Sequence, residues 1–126
     1  MTKILLADDD HNFAAVLKRE LEEENHQVDH VVNGVDAVLK CLSNPYDCVL
    51  LDLVMPGVAG LDALKIIKRI RPDTPVITMS GRAGSKEMTD SLACGAQACL
   101  KKPFEIEELK REIKTIRKKG SKDEPL

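Results

Sequence analysis

Four apolar runs in this chain end on residues able to do chemistry. Ile4-Leu5-Leu6-Ala7 runs into Asp8-Asp9-Asp10, and Val49-Leu50-Leu51 ends on Asp52 before Leu53-Val54-Met55-Pro56-Gly57. Val76-Ile77-Thr78-Met79 ends at Ser80, and Ala98-Cys99-Leu100 leads through Lys101 to Lys102-Pro103-Phe104. A charge closing an apolar run is costly unless it is used or paired. Acids brought within a few ångströms raise one another's pKa values, so Asp8, Asp9 and Asp52 make sense chiefly around a cation. Hard oxygen ligands point to Mg2+, which leaves coordination positions free for water and phosphate oxygens. Asp52 could then attack a phosphoryl group and form an acyl phosphate, provided fixed positive charge offsets the incoming oxygens. Lys102 can supply that charge. Ser80 can donate a hydroxyl hydrogen bond to a phosphoryl oxygen, and Gly81 after it admits close backbone approach.

Each residue alone also has a bland reading. The acids could be solvated loop residues, Ser80 a loop hydroxyl and Lys102 a surface charge. Asp10 directly precedes a helical period and is expected to cap it. What argues for one site is the conjunction of Asp, Asp, Ser and Lys at four strand ends. Pro103 restricts Lys102 to extended backbone, which helps hold the ammonium over those ends.

The positioning elements follow from the apolar spacing. Lys3 to Ala7 predicts a strand, Phe13, Val16, Leu17 and Leu21 a helix, and Gln27 to Val32 a second strand. A short helix over 34–42, a strand over 47–51, a helix carrying Leu61, Leu64, Ile67 and Ile70, and a strand over 75–79 come next. Ser85 can cap a helix of about ten residues that stops before Gly95. A strand over 98–100 and a helix marked by Ile106, Leu109, Ile113 and Ile116 complete the alternation. Unalternating apolar strands fit a sheet covered on both faces, and strict strand-helix alternation fits a parallel, right-handedly wound one. The expected fold class is a small doubly wound α/β domain of five strands and five helices. In such sheets the site lies beyond the carboxyl ends of the strands, where strand order reverses.

The composition narrows the partners. A chain of 126 residues suits one domain. The net charge of -2 gives no overall attraction to nucleic acid or acidic membrane. With only Phe13, Tyr46 and Phe104 as aromatics, the composition argues against a base-stacking surface for single-stranded nucleic acid. No signal-peptide segment and no run near the roughly 20 residues needed to span a bilayer is present, so the chain reads as cytoplasmic. Cys41, Cys48, Cys94 and Cys99 form no C-x-x-C pair and are expected to be buried free thiols rather than zinc ligands. In the last helix, early Glu105, Glu107 and Glu108 and late Lys114, Arg117, Lys118 and Lys119 complement the helix dipole.

Taken in order and spacing, Asp8-Asp9, Leu51-Asp52 with Met55-Pro56-Gly57 and Gly60, Ser80, and Lys102-Pro103-Phe104 resemble the CheY-like receiver domain of bacterial two-component response regulators. The resemblance spans nearly the whole chain and implies a flavodoxin-like (βα)5 fold with strand order 2-1-3-4-5. It implies a receiver domain over 1–119, with 120–126 as a tail or truncated linker. It makes Asp52 the phosphoacceptor, places Mg2+ on Asp8, Asp9, Asp52 and the backbone carbonyl of Val54, and gives Ser80 and Lys102 to the phosphoryl group. It also implies a cis peptide before Pro103, a sensor histidine kinase or phosphotransfer protein as partner, and a homodimer or partner face on the last two helices and the strand between them. Val54 and Arg82 occupy flanking positions that tune hydrolysis of the phosphate, and the apolar Val54 predicts a moderate or long lifetime. One departure is Cys99, where these domains usually place a Tyr or Phe that swings inward; coupling is then expected to rest on shifts around residues 81–84. Two other readings are a phosphate-independent interaction module, prompted by Cys99, and an aspartate-nucleophile phosphatase built on Asp8-x-Asp10. The latter leaves Asp52 and Met55-Pro56-Gly57 unexplained and lacks a water-excluding cap segment.

Overall fold

The computed structural model describes residues 2–81 and 86–122, with side chains as far as 116. Strands and helices alternate as β1 (Thr2–Ala7), α1 (His11–Glu22), β2 (His26–Val31), α2 (Gly34–Ser43), β3 (Cys48–Asp52), α3 (Gly60–Ile70), β4 (Val76–Ser80), α4 (Lys86–Ala93), β5 (Ala98–Lys101) and α5 (Ile106–Lys122). The sheet is parallel throughout, in the order β2-β1-β3-β4-β5. The expected fold class and strand order are therefore observed. Arg82 and Ser85, and with them the expected helix cap, lie outside the described residues.

Successive side chains of a strand point to opposite faces, and here both faces are covered. Ile4, Leu6, Leu50, Ile77 and Met79 meet Ala14, Leu17 and Leu21 of α1 and Leu109 and Ile113 of α5. Leu5, Ala7, Val49, Leu51 and Val76 meet Ala37 and Cys41 of α2 and Ala63, Leu64 and Ile67 of α3. All five residues of β3 and of β4 are buried, which fixes Asp52 and Ser80 in central strands. In α1 the inward face is Ala14, Leu17 and Leu21, whereas Val16, expected inside, is 56% exposed. At 3.6 residues per turn the 14-17-21 stripe excludes position 16 from the same face.

Local chemistry sets the element ends. The Asp10 carboxylate accepts the Phe13 N–H at 3.0 Å and Asn33 accepts that of Asp36 at 2.8 Å, so α1 and α2 begin with side-chain caps. The loop after α4 turns at Gly95 with φ +104°, a conformation that penalises any side chain. Gly60 starts α3 against the backbone of Leu53, and a Cβ there would overlap Leu53 Cα and carbonyl. That contact brings α3 down onto the end of β3. Cys41 and Cys48 are buried thiols, whose pKa values burial pushes up to about 11 and about 12. Cys94, just after α4, and Cys99 are only partly buried, contrary to expectation; Cys99 lies on β5, an edge strand. Among the described residues no helix is long and apolar enough to cross a membrane.

Candidate functional site

The switch between β1 and β3 brings the sequence-predicted residues together at the carboxyl edge of the sheet. Asp8 follows β1, its N–H donating to the Val31 carbonyl at 3.0 Å. Its buried carboxylate accepts the Asp10 N–H on Oδ1 at 2.9 Å and the Lys102 ammonium on Oδ2 at 2.7 Å. Asp52 closes β3 and is 5% exposed. Its Oδ1 accepts the Val54 N–H at 2.9 Å and its Oδ2 accepts the same ammonium at 3.0 Å. Asp9 is exposed, yet one carboxylate oxygen from each of Asp8, Asp9 and Asp52 lies within 4.8 Å of the others. Among the described residues this is the one cluster of three or more potential ligands close enough to share a metal ion.

The neighbouring strands supply the rest. Asp52 is level with Met79 in the β3–β4 register, and Ser80 is the next residue, buried at the end of β4. The Lys102 N–H donates to the Ser80 carbonyl at 2.7 Å, tying the lysine's backbone to the strand that carries the hydroxyl. The Lys102–Pro103 peptide is cis, as the resemblance implied. Asp10 holds the cap assigned to it and is exposed, which disfavours the Asp8-x-Asp10 phosphatase reading.

The charges are tuned by competition. Burial raises the Asp52 pKa; the Val54 N–H and the Lys102 contact oppose that, the nearby Asp8 charge adds to it, and the net shift is upward. For Lys102 burial acts to lower the pKa, but hydrogen bonds and charge from Asp8 and Asp52 outweigh it and leave the ammonium favoured. A charged lysine at neutral pH thus offsets one of two buried carboxylates and leaves excess negative charge for a further cation. Hard carboxylate oxygens at this spacing fit a divalent ion such as Mg2+.

Two groups escaped the sequence reading. His30 donates from Nε2 to the Asp8 carbonyl at 2.8 Å, a contact set by the Leu6–His30 register of β1 and β2 that no local signal reveals. Phe13, read as core, places its ring 4.4 Å from Lys102 Nζ. Val54 is 49% exposed at the rim of the site, and Cys99, level with buried Thr78, stands where the aromatic was expected.

Comparison with known proteins agrees with this geometry. The model of the response regulator receiver domain family matches residues 4–114. The response regulator ArlR of Staphylococcus saprophyticus is 38% identical over 116 residues, covering 92% of this chain and 52% of the relative. ArlR of Staphylococcus aureus strain USA300 is 37% identical over 98% of this chain and 56% of its own length. The chain thus spans about half the length of these curated relatives. Among solved structures, the Francisella response regulator 1452 receiver domain is 31% identical with a TM-score of 0.89, covering 95% of this chain and 99% of that one. The response regulator TrrA of Thermotoga maritima, solved with Mg2+ and BeF, is 34% identical with a TM-score of 0.83 over 92% and 99% of the two chains. The chain belongs to the response regulator receiver domain family.

Proposed function

We propose that this domain accepts a phosphoryl group on Asp52 from the phosphohistidine of a sensor histidine kinase or phosphotransfer protein, and that the phosphorylated state carries a signal in the cytoplasm. The observation that carries the reading is the Lys102 ammonium bridging Asp8 and Asp52 beside Asp9 at the carboxyl edge of the sheet. A carboxylate oxygen of Asp52 attacks phosphorus as the P–N bond breaks, and the electron pair leaves with the donor's imidazole. Asp8, Asp9, Asp52 and the Val54 carbonyl would hold Mg2+, which when bound neutralises charge on the phosphoryl oxygens. Lys102 offers a fixed ammonium to those oxygens, and Ser80 a hydroxyl donor from the adjacent strand. The domain's chemistry is confined to forming and hydrolysing its own acyl phosphate. A homodimer through α4, β5 and α5 belongs to the same reading, and Leu92 of α4 is half exposed.

Incubation with Mg2+ and acetyl phosphate, followed by intact mass, tests the assignment. A single phosphoryl adduct on the wild type, absent from Asp52→Asn, is expected. An adduct that persists in Asp52→Asn, or none on the wild type, would overturn it.

A further inference from the structure

We infer that Phe13 is a positioning residue for phosphoryl transfer, the face of its ring fixing the Lys102 ammonium against Asp8 and Asp52. An ammonium has three donors and a freely turning stem, so two acceptors alone leave it room to swing towards water. Here one side of Nζ meets Asp8 Oδ2 at 2.7 Å, a second meets Asp52 Oδ2 at 3.0 Å, and the Phe13 ring lies with its centroid 4.4 Å away. A π face at that distance attracts the cation while offering no acceptor that would compete with the carboxylates. The ring itself packs edge-to-face with Phe104, centroids 5.8 Å apart and planes at 86°.

The backbone closes the same loop of contacts. Asp8 Oδ1 accepts the Asp10 N–H, Asp10 Oδ1 accepts the Phe13 N–H, the Phe13 ring faces Lys102, and Lys102 donates back to Asp8 Oδ2. The helix cap therefore sets the ring, the ring sets the ammonium, and the ammonium sets two of the three clustered carboxylates. Phe104 lies two residues beyond Lys102, so both ends of the aromatic pair are anchored to the site. A leucine at position 13 would fill part of the space but present no negative face to the cation.

The inference rests on Asp52 as phosphoacceptor, and the test separates the two. Phe13→Leu, Phe13→Tyr and protein carrying pentafluorophenylalanine in place of Phe13 are phosphorylated with acetyl phosphate, each also in a Lys102→Met background. Loss of the ring face is expected to slow phosphorylation about three- to tenfold in Phe13→Leu and in the fluorinated protein, whose ring keeps its shape but reverses its quadrupole, while Phe13→Tyr retains the rate. In the Lys102→Met background the same changes should have no effect. Metal-free NMR supplies a readout independent of activity: the Lys102 Hε resonances, shifted by the ring current in the wild type, should move towards free-lysine values in Phe13→Leu. Wild-type phosphorylation with unchanged rates in both Phe13→Leu and the fluorinated protein would overturn the inference, as would an equal loss without Lys102. Absence of any wild-type adduct would instead overturn the Asp52 assignment.

Discussion

Removing the ammonium from the site should cost stability in a way that depends on pH and on divalent cations. In Lys102→Met the Asp8 and Asp52 carboxylates lose donors at 2.7 Å and 3.0 Å while remaining buried. Their facing oxygens lie within 4.8 Å, with Asp9 equally close. At an effective dielectric constant of about 20, that separation corresponds to at least about 3 kcal/mol of repulsion per ionised pair. Breaking a fully buried ion pair costs about 3–5 kcal/mol. The Lys102 side chain is 21% exposed, so water reaches the site and recovers part of the loss. The expected net destabilisation is about 2–3 kcal/mol at neutral pH in the presence of chelator, or a urea midpoint lower by about 1–2 M.

The pH dependence has a definite sign. The folded-state pKa of Asp52 is raised above its usual 3.8, first by burial, against the Val54 N–H and Lys102. Taking Lys102 away removes an opposing contact, so the value climbs further. A carboxylate with a raised folded pKa carries no penalty below 3.8, a growing one as pH rises from there to the folded value, and a constant one above it. The gap between wild type and Lys102→Met should therefore be smallest near pH 4 and widen towards neutrality. The ammonium's own pKa is raised above 10.5 by Asp8 and Asp52, so on the alkaline side the stabilisation it gives the wild type is lost only as pH climbs through the folded value. Millimolar Mg2+ should narrow the gap at pH 7 by replacing the missing charge. Urea titrations followed by far-UV circular dichroism measure all of this; equal midpoints at pH 7 in chelator, or a gap as wide at pH 4 as at pH 7, would refute the reasoning.

Gly60→Ala should lose about 3 kcal/mol in urea unfolding, because its Cβ meets the Leu53 backbone and α3 must lift from the end of β3. Ser91→Ala should lose about 1 kcal/mol, since the buried Thr78 hydroxyl keeps the Ala98 carbonyl at 3.3 Å but loses its 2.9 Å partner. Val54→Asn at the exposed rim should shorten the acyl phosphate half-life about fivefold by giving the attacking water one hydrogen bond, read by mass against time; an unchanged half-life would show that position 54 does not face the water.

The sheet was legible because its strands are short apolar runs covered on both faces, a pattern that local composition carries. Their ends were less so. β3 was expected over 47–51 but runs Cys48–Asp52, because Asp47 is taken up by Lys3: its N–H donates to the Lys3 carbonyl and its carboxylate accepts the Lys3 N–H, both at 2.8 Å. That pairing belongs to a residue 44 positions away and leaves no local trace. Asp8, Asp52 and Lys102 were legible for the opposite reason, since ionic groups closing apolar strands conflict with their surroundings and demand an explanation. Phe13 and His30 conflict with nothing in sequence. Their contacts with Lys102 and the Asp8 carbonyl arise from helix placement and strand register alone.

With Cys99 where an aromatic was expected, the cover of β4 near Ser80 is thin on the α4 side. Thr78 and Ser80 share a face of β4, and Thr78 is level with Cys99 on β5. On that face α4 buries only Ser91 among its residues, whereas α3 buries Ala63, Leu64 and Ile67 besides Gly60. Leu92, which could have anchored α4, is half exposed. A small, partly exposed thiol at position 99 adds little apolar cover, so the hydroxyl pair of Thr78 and Ser91 is a central buried contact between β4 and α4. One neutral hydrogen bond contributes about 1 kcal/mol, whereas lifting an α3 residue such as Leu64 or Ile67 from the core forfeits about 1.5–3 kcal/mol each. A displacement of β4 at its Ser80 end therefore meets least resistance at α4, through a pair of hydroxyls rather than through an aromatic ring.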